Sequence, residues 1–280
     1  MRTWSRPIPD RLSSVTVGAG CVTGRELSRL MGIDQVTLVT GGSRGIGAAV
    51  AVRLARAGHG VAIGYEQARD AAERWAAAVR AEGVRSMTVQ ADTSDAEQVE
   101  AMFDRVREEL GPITGLVNNA GITGPLGRFT ETSPEVMRRV VDVNVTGALL
   151  CARRAAREMS TRHGGQGGAI VNISSGAATT GSPGEYVHYA ASKAAVDAMT
   201  VGLSKELAAE GIRVNSVQPG MTLTDIHERM GDPERPWRFQ GRVPMGRPGE
   251  PEEIAGAVAW LLSPEASYTT GAVLRVAGGL

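Results

Sequence analysis

The chain has little cysteine, no net charge and no long apolar run, and each shortage excludes a class of protein. Its two cysteines, Cys21 and Cys151, are too few for a disulfide framework, so we expect a reducing cytoplasm. Thirty basic residues balance thirty acidic ones, which removes the positive surface that a nucleic-acid partner requires. No segment approaches the ~18 consecutive apolar residues that span a bilayer, so we expect no membrane partner.

Lysine is also scarce, whereas glycine is abundant. Lys193 and Lys205 are the only lysines among the thirty basic residues, and all the others are arginines. Glycine contributes 36 of the 280 residues without a Gly-X-Y period, so collagen is excluded and the excess belongs in loops. The 42% hydrophobic and 21% charged composition is typical of a folded globular protein.

Residues 1–35 differ from the rest of the chain. They show no sustained helical or strand period, and they contain five arginines against three acidic residues. We interpret them as a mobile N-terminal extension, or as the product of an upstream start codon with Met31 as the true initiator. A targeting peptide is the alternative, although the segment lacks the apolar core of a secretory signal.

From Val36 to the end of the chain, short apolar runs alternate with helical patterns. Strands are predicted at 36–40, 60–64, 86–91, 115–118, 169–173, 212–217 and 272–276, and helices at 45–57, 68–82, 95–110, 134–161, 186–209 and 250–262. This alternation is typical of βαβ units, which form a parallel sheet with helices on both faces. The sequence therefore predicts an α/β fold with a doubly wound seven-stranded parallel sheet in a single domain at 36–280.

The first predicted strand leads into a glycine-rich turn that opens a helix. The turn consists of Gly41, Gly42, Ser43, Arg44, Gly45, Ile46 and Gly47. Gly41 allows the chain to turn, Gly45 allows the backbone to approach a ligand closely, and Gly47 allows the helix to pack on the sheet. Because the helix N-terminus presents free N–H groups, the arrangement indicates binding of a dinucleotide pyrophosphate.

Six motifs, in order, resemble those of the short-chain dehydrogenase/reductase family over essentially all of 36–280. They are Thr40-Gly41 with Gly45 and Gly47, Asn118-Asn119-Ala120-Gly121, Asn144 in a helix, Ile173-Ser174-Ser175, Tyr189 with Lys193, and Pro219-Gly220 with Thr224. The resemblance implies a Rossmann fold, a nicotinamide cofactor and the interconversion of a carbonyl and an alcohol. It also implies a catalytic set of Asn144, Ser175, Tyr189 and Lys193.

Tyr189 and Lys193 lie four residues apart in a helical pattern, so both project from one face of the helix. A tyrosine with an ordinary pKa of about 10 is a poor acid or base at neutral pH. We expect the Lys193 ammonium to lower the pKa of Tyr189 and so make it a proton-transfer group. The resemblance implies that Lys193 also holds the ribose hydroxyls of the nicotinamide.

Ser175 follows the fifth predicted strand, at the edge of a parallel sheet where ligands bind. We expect its hydroxyl to hydrogen-bond the reacting carbonyl oxygen alongside Tyr189. Ser174, which points to the opposite face of the strand, is the alternative, and the resemblance favours Ser175.

The resemblance implies that Asn144 holds a water in a proton relay, and a structural role in its helix is the alternative. We interpret His188, next to Tyr189, as a surface histidine rather than a substrate contact.

The end of the second predicted strand, at 64–66, governs the choice between NADP and NAD. The resemblance places Gly64 where NAD-specific relatives have an aspartate, and Arg44 and Arg69 are suited to a phosphate. Glu66 favours NAD instead, because an acidic residue about 20 positions after the last glycine binds the ribose. We favour NADP, with NAD as the alternative. The other cofactor contacts that the resemblance implies are Tyr65, Asp92 at the adenine, Asn119, Ala120, Gly121, Tyr189, Lys193, Pro219, Gly220, Thr222 and Thr224.

The resemblance implies that residues 221–247 form a mobile lid, and their apolar content favours a modest, mainly non-ionic substrate. We therefore interpret the chain as an NADPH-linked reductase of a ketone or a 3-oxoacyl group. The alternatives are an NAD-dependent sugar, polyol or secondary-alcohol dehydrogenase, a non-catalytic NADP-sensing regulator, and a dehydratase or epimerase.

The four histidines are scattered and predict no metal site. The helices of Asn144 and Tyr189 and the tail at 276–280 resemble family interfaces and imply a homotetramer or homodimer.

Overall fold

The computed structural model describes residues 35–280, so the predicted N-terminal extension, apart from Gln35, lies outside the described residues, as does Cys21. The strands are β1 Val36–Val39, β2 Gly60–Tyr65, β3 Ser86–Gln90, β4 Gly115–Asn118, β5 Gly168–Ile173, β6 Ile212–Pro219 and β7 Val273–Val276. The α-helices are α1 Gly45–Arg56, α2 Arg69–Ala81, α3 Ala96–Leu110, α4 Pro134–Val141, α5 Ala148–Met159, α6 Ala177–Thr180, α7 Val187–Leu207, α8 Ile226–Arg229, α9 Arg235–Arg238 and α10 Pro251–Leu262.

The strands of residues 35–280 form one seven-stranded parallel sheet in the order β3-β2-β1-β4-β5-β6-β7. In the central register, Val39 of β1 lies opposite Ile63 of β2 on one side and Val117 of β4 on the other. The strand order reverses between β1 and β4, and ligands bind at this switch point in open α/β sheets. The predicted doubly wound Rossmann-type fold is therefore confirmed.

Helices cover both faces of the sheet because successive side chains of each buried strand point to opposite sides. In β1, Val39 contributes to one apolar core and Leu38 to the other. Side chains of α1, α2 and α10 pack into the first core, and those of α3, α5 and α7 pack into the second. None of the helices in the described range combines the length and apolar character needed to cross a membrane.

The predicted strands and long helices are confirmed with small shifts at their ends. Asp95 caps α3 by accepting hydrogen bonds from Glu97 N at 2.9 Å and Gln98 N at 3.1 Å. Ser133 caps α4 as predicted, accepting from Val136 N at 3.4 Å. The short helices α6, α8 and α9 were not predicted, because a single turn is too short to show a helical period.

The prediction of one continuous α-helix over 134–161 is wrong in one respect. A π-helical segment, Asp142–Gly147, joins α4 to α5 and contains Asn144. The Asn144 side chain bonds outside its own helix, accepting from Ile122 N and donating to Ile122 O, both at 2.8 Å. Apolar periodicity over a long window does not reveal one wide turn, and such turns are frequent at functional sites.

His59, between α1 and β2, makes the stability of this fold depend on pH. It is 7% exposed, and its Nδ1 lies 2.9 Å from Thr37 Oγ1 on β1. Burial lowers the pKa of His59 to about 4, from the ordinary value of about 6.5 that the unfolded chain retains. As the pH falls, the unfolded chain therefore binds a proton at His59 before the folded chain does. The stability that the neutral imidazole contributes is fully present above about pH 6.5 and is lost as the pH falls towards about 4.

We expect the His59 imidazole alone to remove about 3 kcal/mol of unfolding free energy between about pH 7 and about pH 4. The free energy of unfolding of His59→Gln should therefore fall less steeply over this range than that of the wild type, as measured by urea denaturation. His163→Gln, at an exposed position, is the matched control and should follow the wild type. An unchanged pH dependence in His59→Gln would contradict the assignment.

Candidate active site

Two adjoining cavities lie at the carboxyl ends of the strands, across the switch point between β1 and β4. The larger has a volume of about 540 Å³ and the smaller of about 180 Å³. They share the lining residues Ile46, Asn119, Gly121, Thr224 and Ile226. The two cavities therefore form one groove, in which the smaller reaches the end of β2 and the larger contains Tyr189.

The glycine turn between β1 and α1 lines the smaller cavity and has the backbone shape that a dinucleotide requires. Gly41 and Gly45 adopt positive φ angles of 62° and 50°, a region that side chains disfavour. A Cβ atom on Gly47 would lie 2.5 Å from Asn119 Nδ2 and 2.6 Å from Gly41 O. In the described chain, the N-cap residue Arg44 makes no side-chain capping bond, so N–H groups of α1 are available to phosphate oxygens.

Thr40 and Asn119 tie the glycine turn to the end of β4. Thr40 Oγ1 accepts hydrogen bonds from Asn119 N at 3.0 Å and Ala120 N at 3.1 Å. In return, Asn119 Nδ2 donates to Thr40 O at 3.0 Å and to Gly41 O at 2.9 Å. These bonds hold the floor of the groove in one conformation at the switch point.

The predicted cofactor residues lie along this groove. The smaller cavity is lined by Gly41, Ser43, Arg44, Gly45, Ile46, Gly64, Tyr65, Asp92, Asn119, Ala120 and Gly121, and the larger by Tyr189, Lys193, Pro219, Gly220, Thr222 and Thr224. Gly47 lies behind the turn, where the absence of a Cβ atom leaves room for Asn119 Nδ2 and Gly41 O. The residues present therefore fit a nicotinamide dinucleotide laid across the sheet edge.

Tyr189, Ser175 and Lys193 lie together in the larger cavity. Tyr189 is 8% exposed, and its hydroxyl lies near the Ser175 hydroxyl. Lys193 is one turn further along α7, with its Nζ 5.8 Å from the centroid of the Tyr189 ring. This Nζ donates to Ile173 O at the end of β5, at 2.7 Å, which fixes the ammonium beside the tyrosine.

Burial dominates the protonation of these two groups. Desolvation raises the pKa of Tyr189, against the lowering effect of the nearby Ser175 hydroxyl. Desolvation lowers the pKa of Lys193 to about 8, although the nearby Asp197 carboxylate favours the charged ammonium. The expectation that the pKa of Tyr189 falls below its ordinary value is therefore wrong in this structure. The phenol stays protonated at neutral pH while the ammonium keeps most of its charge.

The two serines after β5 have different partners. The Ser174 side chain is buried and its Oγ donates to Lys193 O at 3.1 Å, so it supports the backbone of α7. Ser175 Oγ accepts from Ala177 N at 3.1 Å, and its hydroxyl lies near that of Tyr189. Ser175, rather than Ser174, therefore has its hydroxyl beside the tyrosine.

Asn144 links the π-helical segment to α7, the helix of Tyr189 and Lys193. Its Nδ2 donates to Ser192 Oγ at 2.9 Å, and Ser192 Oγ donates to Tyr189 O at 2.7 Å. A Cβ atom on Gly121 would lie 3.3 Å from both Asn144 Oδ1 and Lys193 Nζ. Asn144 is therefore close to the lysine and also restrains the backbone that carries the tyrosine.

Arg139 of α4 holds two acidic residues at the adenosine end of the groove. Its Nη2 lies 3.1 Å from the Glu66 carboxylate and 3.0 Å from that of Asp92, and its Nη1 donates to Ser94 Oγ at 2.8 Å. Desolvation raises the pKa of Asp92, but hydrogen bonds from Ser94 and Arg139 outweigh it and lower the pKa overall. One guanidinium therefore pairs with both carboxylates at this end of the groove.

Sequence reasoning missed Arg139, and it also missed Arg235, Glu185 and Tyr186. The last three line the larger cavity and contact one another. In a chain so rich in arginine, no sequence signal distinguishes these two arginines from the exposed ones. Glu185 and Tyr186 immediately precede α7, and this position near Tyr189 is the one signal that could have identified them.

Two other expectations differ in detail from the structure. Arg69, expected near a cofactor phosphate, donates from its Nε to the Tyr65 hydroxyl at 3.2 Å. His188 is 7% exposed and its Nε2 donates to Thr123 O at 2.8 Å, so its interpretation as a surface histidine is wrong. Among residues 35–280, no group of three or more His, Cys, Asp or Glu side chains could hold a metal ion.

Comparison with protein families and curated sequences shows extensive similarity. A family model described as "Enoyl-(Acyl carrier protein) reductase" matches residues 41–280. The chain is 48% identical over 244 residues to the uncharacterized oxidoreductase YgfF of Escherichia coli, covering 87% of this chain and 99% of that protein. It is 37% identical over 252 residues to the 3-oxoacyl-[acyl-carrier-protein] reductase FabG of Staphylococcus aureus, covering 89% of this chain and 99% of FabG.

Solved structures resemble the chain over the same extent. A short chain dehydrogenase from Burkholderia cenocepacia in complex with NADP matches with a TM-score of 0.81 and 37% identity, covering 88% of this chain and 97% of that one. A short-chain type dehydrogenase/reductase from Mycobacterium marinum matches with a TM-score of 0.82 and 36% identity, covering 88% and 94%. The chain therefore belongs to the short-chain dehydrogenase/reductase family and is an oxidoreductase that interconverts carbonyl and alcohol groups with NAD(P).

Proposed function

We propose that the protein is an NADPH-linked reductase of a ketone or a 3-oxoacyl group. The observation that carries this proposal is the buried, protonated phenol of Tyr189 beside the Ser175 hydroxyl in the larger cavity. The phenol carries its proton at neutral pH, and the alkoxide oxygen that develops as a carbonyl is reduced is basic enough to take that proton. This protonation state is the one that carbonyl reduction requires, whereas alcohol oxidation begins from the phenolate.

Each member of the catalytic set has a separate task in this proposal. A nicotinamide cofactor, when bound, supplies the hydride. Ser175 hydrogen-bonds the carbonyl oxygen and orients it, while Tyr189 donates its proton to that oxygen as negative charge develops there. The Lys193 ammonium, held at Ile173 O, stabilises the phenolate that remains. With a pKa of about 8, Lys193 can also return a proton to the tyrosine.

We assign Asn144 to the proton supply of this site. Asn144 Oδ1 and Lys193 Nζ both face Gly121, each 3.3 Å from where a Cβ atom on that residue would lie, so a water between the two polar atoms would connect them. The bond from Asn144 to Ser192 also fixes α7 relative to the loop after β4. The relay and the positioning of α7 use different atoms, so Asn144 can perform both tasks.

The adenosine end of the groove favours NADP over NAD. Gly64 puts no side chain beside a ribose 2′-phosphate, and Arg44 lines the smaller cavity with a planar donor group that suits a phosphate. Glu66, which on sequence grounds favoured NAD, is paired with Arg139, so its repulsion of a phosphate is reduced. The Burkholderia relative was solved in complex with NADP, which supports the same choice.

The larger cavity favours a substrate with an apolar body. Ile226, Met230 and Phe239 line it from the segment 221–247. An acyl chain or an alkyl ketone can bury its carbon atoms against these side chains while its carbonyl oxygen reaches Ser175 and Tyr189. The similarity to FabG supports a 3-oxoacyl group as one such substrate.

Removal of the Tyr189 hydroxyl tests the proton donor. We expect Tyr189→Phe to lower kcat for NADPH-dependent reduction of ethyl acetoacetate by about 10²–10⁴-fold, with the Kd for NADPH unchanged within about twofold. Steady-state kinetics and fluorescence titration of NADPH measure the two quantities. Tyr268→Phe changes a fully exposed tyrosine and should behave as the wild type. Turnover by Tyr189→Phe near the wild-type rate would refute the assigned role.

Cofactor choice is tested at Arg139. The wild type should have a lower KM for NADPH than for NADH, and Arg139→Met should shift this preference towards NADH by about 3–10-fold because Glu66 is then unpaired. Glu66→Gln should shift it the other way. Arg138→Met removes the neighbouring exposed arginine, which pairs with Glu135, and should change neither KM. A lower wild-type KM for NADH would overturn the assignment of NADP.

We also infer that the chain forms a homodimer or homotetramer through α4, α5 and α7. Val141, Leu149 and Val201 on these helices are 46%, 45% and 37% exposed, and exposed apolar side chains of this kind mark interaction surfaces. Light scattering should give a mass of two or four chains, and Val201→Glu should reduce it. A monomeric wild type at micromolar concentration would contradict the inference.

A further inference from the structure

Arg235, at the start of α9, makes a bidentate ion pair with Glu185 although the two residues are 50 positions apart. Its Nη1 and Nη2 lie 2.7 and 2.6 Å from the two carboxylate oxygens, and its side chain is 4% exposed. Nη2 also donates to the Tyr186 hydroxyl at 3.1 Å. These contacts join the segment 221–247 to the loop that enters α7.

Aromatic rings enclose the rest of the Arg235 guanidinium. Its Cζ lies 4.5 Å from the centroid of Phe239 and 5.3 Å from that of Tyr186. A planar guanidinium can stack on rings and donate two parallel bonds to a carboxylate at the same time, which a lysine ammonium cannot do. The arrangement is therefore specific for arginine at this position.

Tyr186 connects this ion pair to the catalytic tyrosine. The rings of Tyr186 and Tyr189 meet edge to face, with centroids 5.2 Å apart and planes at 90°. Met230, from the segment 221–247, packs in the same apolar cluster as both rings. Because Arg235 holds the hydroxyl of Tyr186 and Tyr189 packs against its ring, a displacement of Arg235 would be passed to Tyr189.

We propose that Arg235 and Glu185 form a clamp that closes residues 221–247 over the substrate cavity, and that Arg235 is a positioning residue for Tyr189. A buried guanidinium is tolerated only while it is paired, so the clamp favours two states. In the closed state the charges are paired and the guanidinium is enclosed, and in the open state both charges are solvated by water. Closure therefore excludes water from the Tyr189 hydroxyl and fixes its ring in one event. The positioning part rests on the proposed role of Tyr189 as proton donor.

Three variants of the full chain test the clamp. Arg235→Lys keeps the charge and removes the bidentate geometry, Glu185→Gln removes the carboxylate charge, and Tyr186→Phe removes only the hydroxyl that Arg235 contacts. Arg238→Lys is the matched control, because Arg238 lies on the same short helix, is largely exposed and pairs with Asp232 instead. Hydrogen exchange of residues 221–247 measures closure without turnover, and the kinetics of NADPH-dependent reduction of ethyl acetoacetate measure positioning.

We expect Arg235→Lys and Glu185→Gln to accelerate exchange in 221–247 by about tenfold or more, with little change in the sheet. Their kcat should fall by about tenfold or more while the KM for NADPH stays within about twofold. Tyr186→Phe should lower kcat with little effect on exchange, because it breaks the link to Tyr189 but leaves the ion pair. Arg238→Lys should match the wild type in both measurements.

A structural ion pair without these functions would give a different result. It would lower the melting temperature and raise exchange throughout the chain, with kcat unchanged below the unfolding transition, and this outcome overturns the proposal. Unchanged exchange of 221–247 in Arg235→Lys overturns closure, and unchanged kcat in Tyr186→Phe overturns positioning. If the wild type reduces no carbonyl with NADPH or NADH, the proposed function fails, whereas the exchange comparison still decides whether the clamp exists.

Discussion

The hydrogen bonds between Thr40 and Asn119 hold the ends of β1 and β4 together, and the site is built outward from them. Each residue bonds to the backbone of the other's segment, so the glycine turn and the loop after β4 have one relative position. The strand order reverses at the same place, which separates the loops on either side and leaves a crevice. Both cavities border Asn119, so the dinucleotide groove depends on this contact.

Burial is the second constraint, because it sets the protonation of Tyr189 and Lys193. Tyr189 and Lys193 both lose solvation in the larger cavity, and desolvation favours the neutral form of each. For the phenol, the neutral form is the proton donor that carbonyl reduction requires. For the lysine, the bond to Ile173 O and the nearby Asp197 carboxylate preserve the charge. The same environment thus keeps a neutral acid next to a cation.

In this fold, the arginines and Lys193 occupy positions with different requirements. Arg139 and Arg235 each contact several partners from different segments, which uses the planar guanidinium with its fixed set of donors. Arg154 does the same between α3 and α5, pairing with Glu100, Asp104 and Glu158. Lys193 occupies a position where a compact ammonium is needed beside a carbonyl oxygen.

The fold and most of the site follow from local sequence patterns. Alternating strand and helix periods, the glycine turn and the four-residue spacing of Tyr189 and Lys193 depend on residues close together in the chain. They therefore indicated the parallel α/β sheet, the dinucleotide site and the tyrosine–lysine pair. Asn144 and Ser175 were added by the family resemblance. The π-helical segment at Asn144 leaves no such local pattern, because it depends on bonds to Ile122 and Ser192 from other segments.

Only the tertiary structure decided which charged residues pair with one another around the site. Glu66 and Arg139 are 73 positions apart, and Glu185 and Arg235 are 50 apart, so neither pairing leaves a local pattern. The raised pKa of Tyr189 likewise depends on burial, which the folded surroundings determine. The sequence by itself determined the fold and the candidate residues for the chemistry, since backbone geometry and motif spacing are short-range. Their protonation and their partners were decided in the folded state, because desolvation and electrostatic attraction depend on distance in space rather than along the chain.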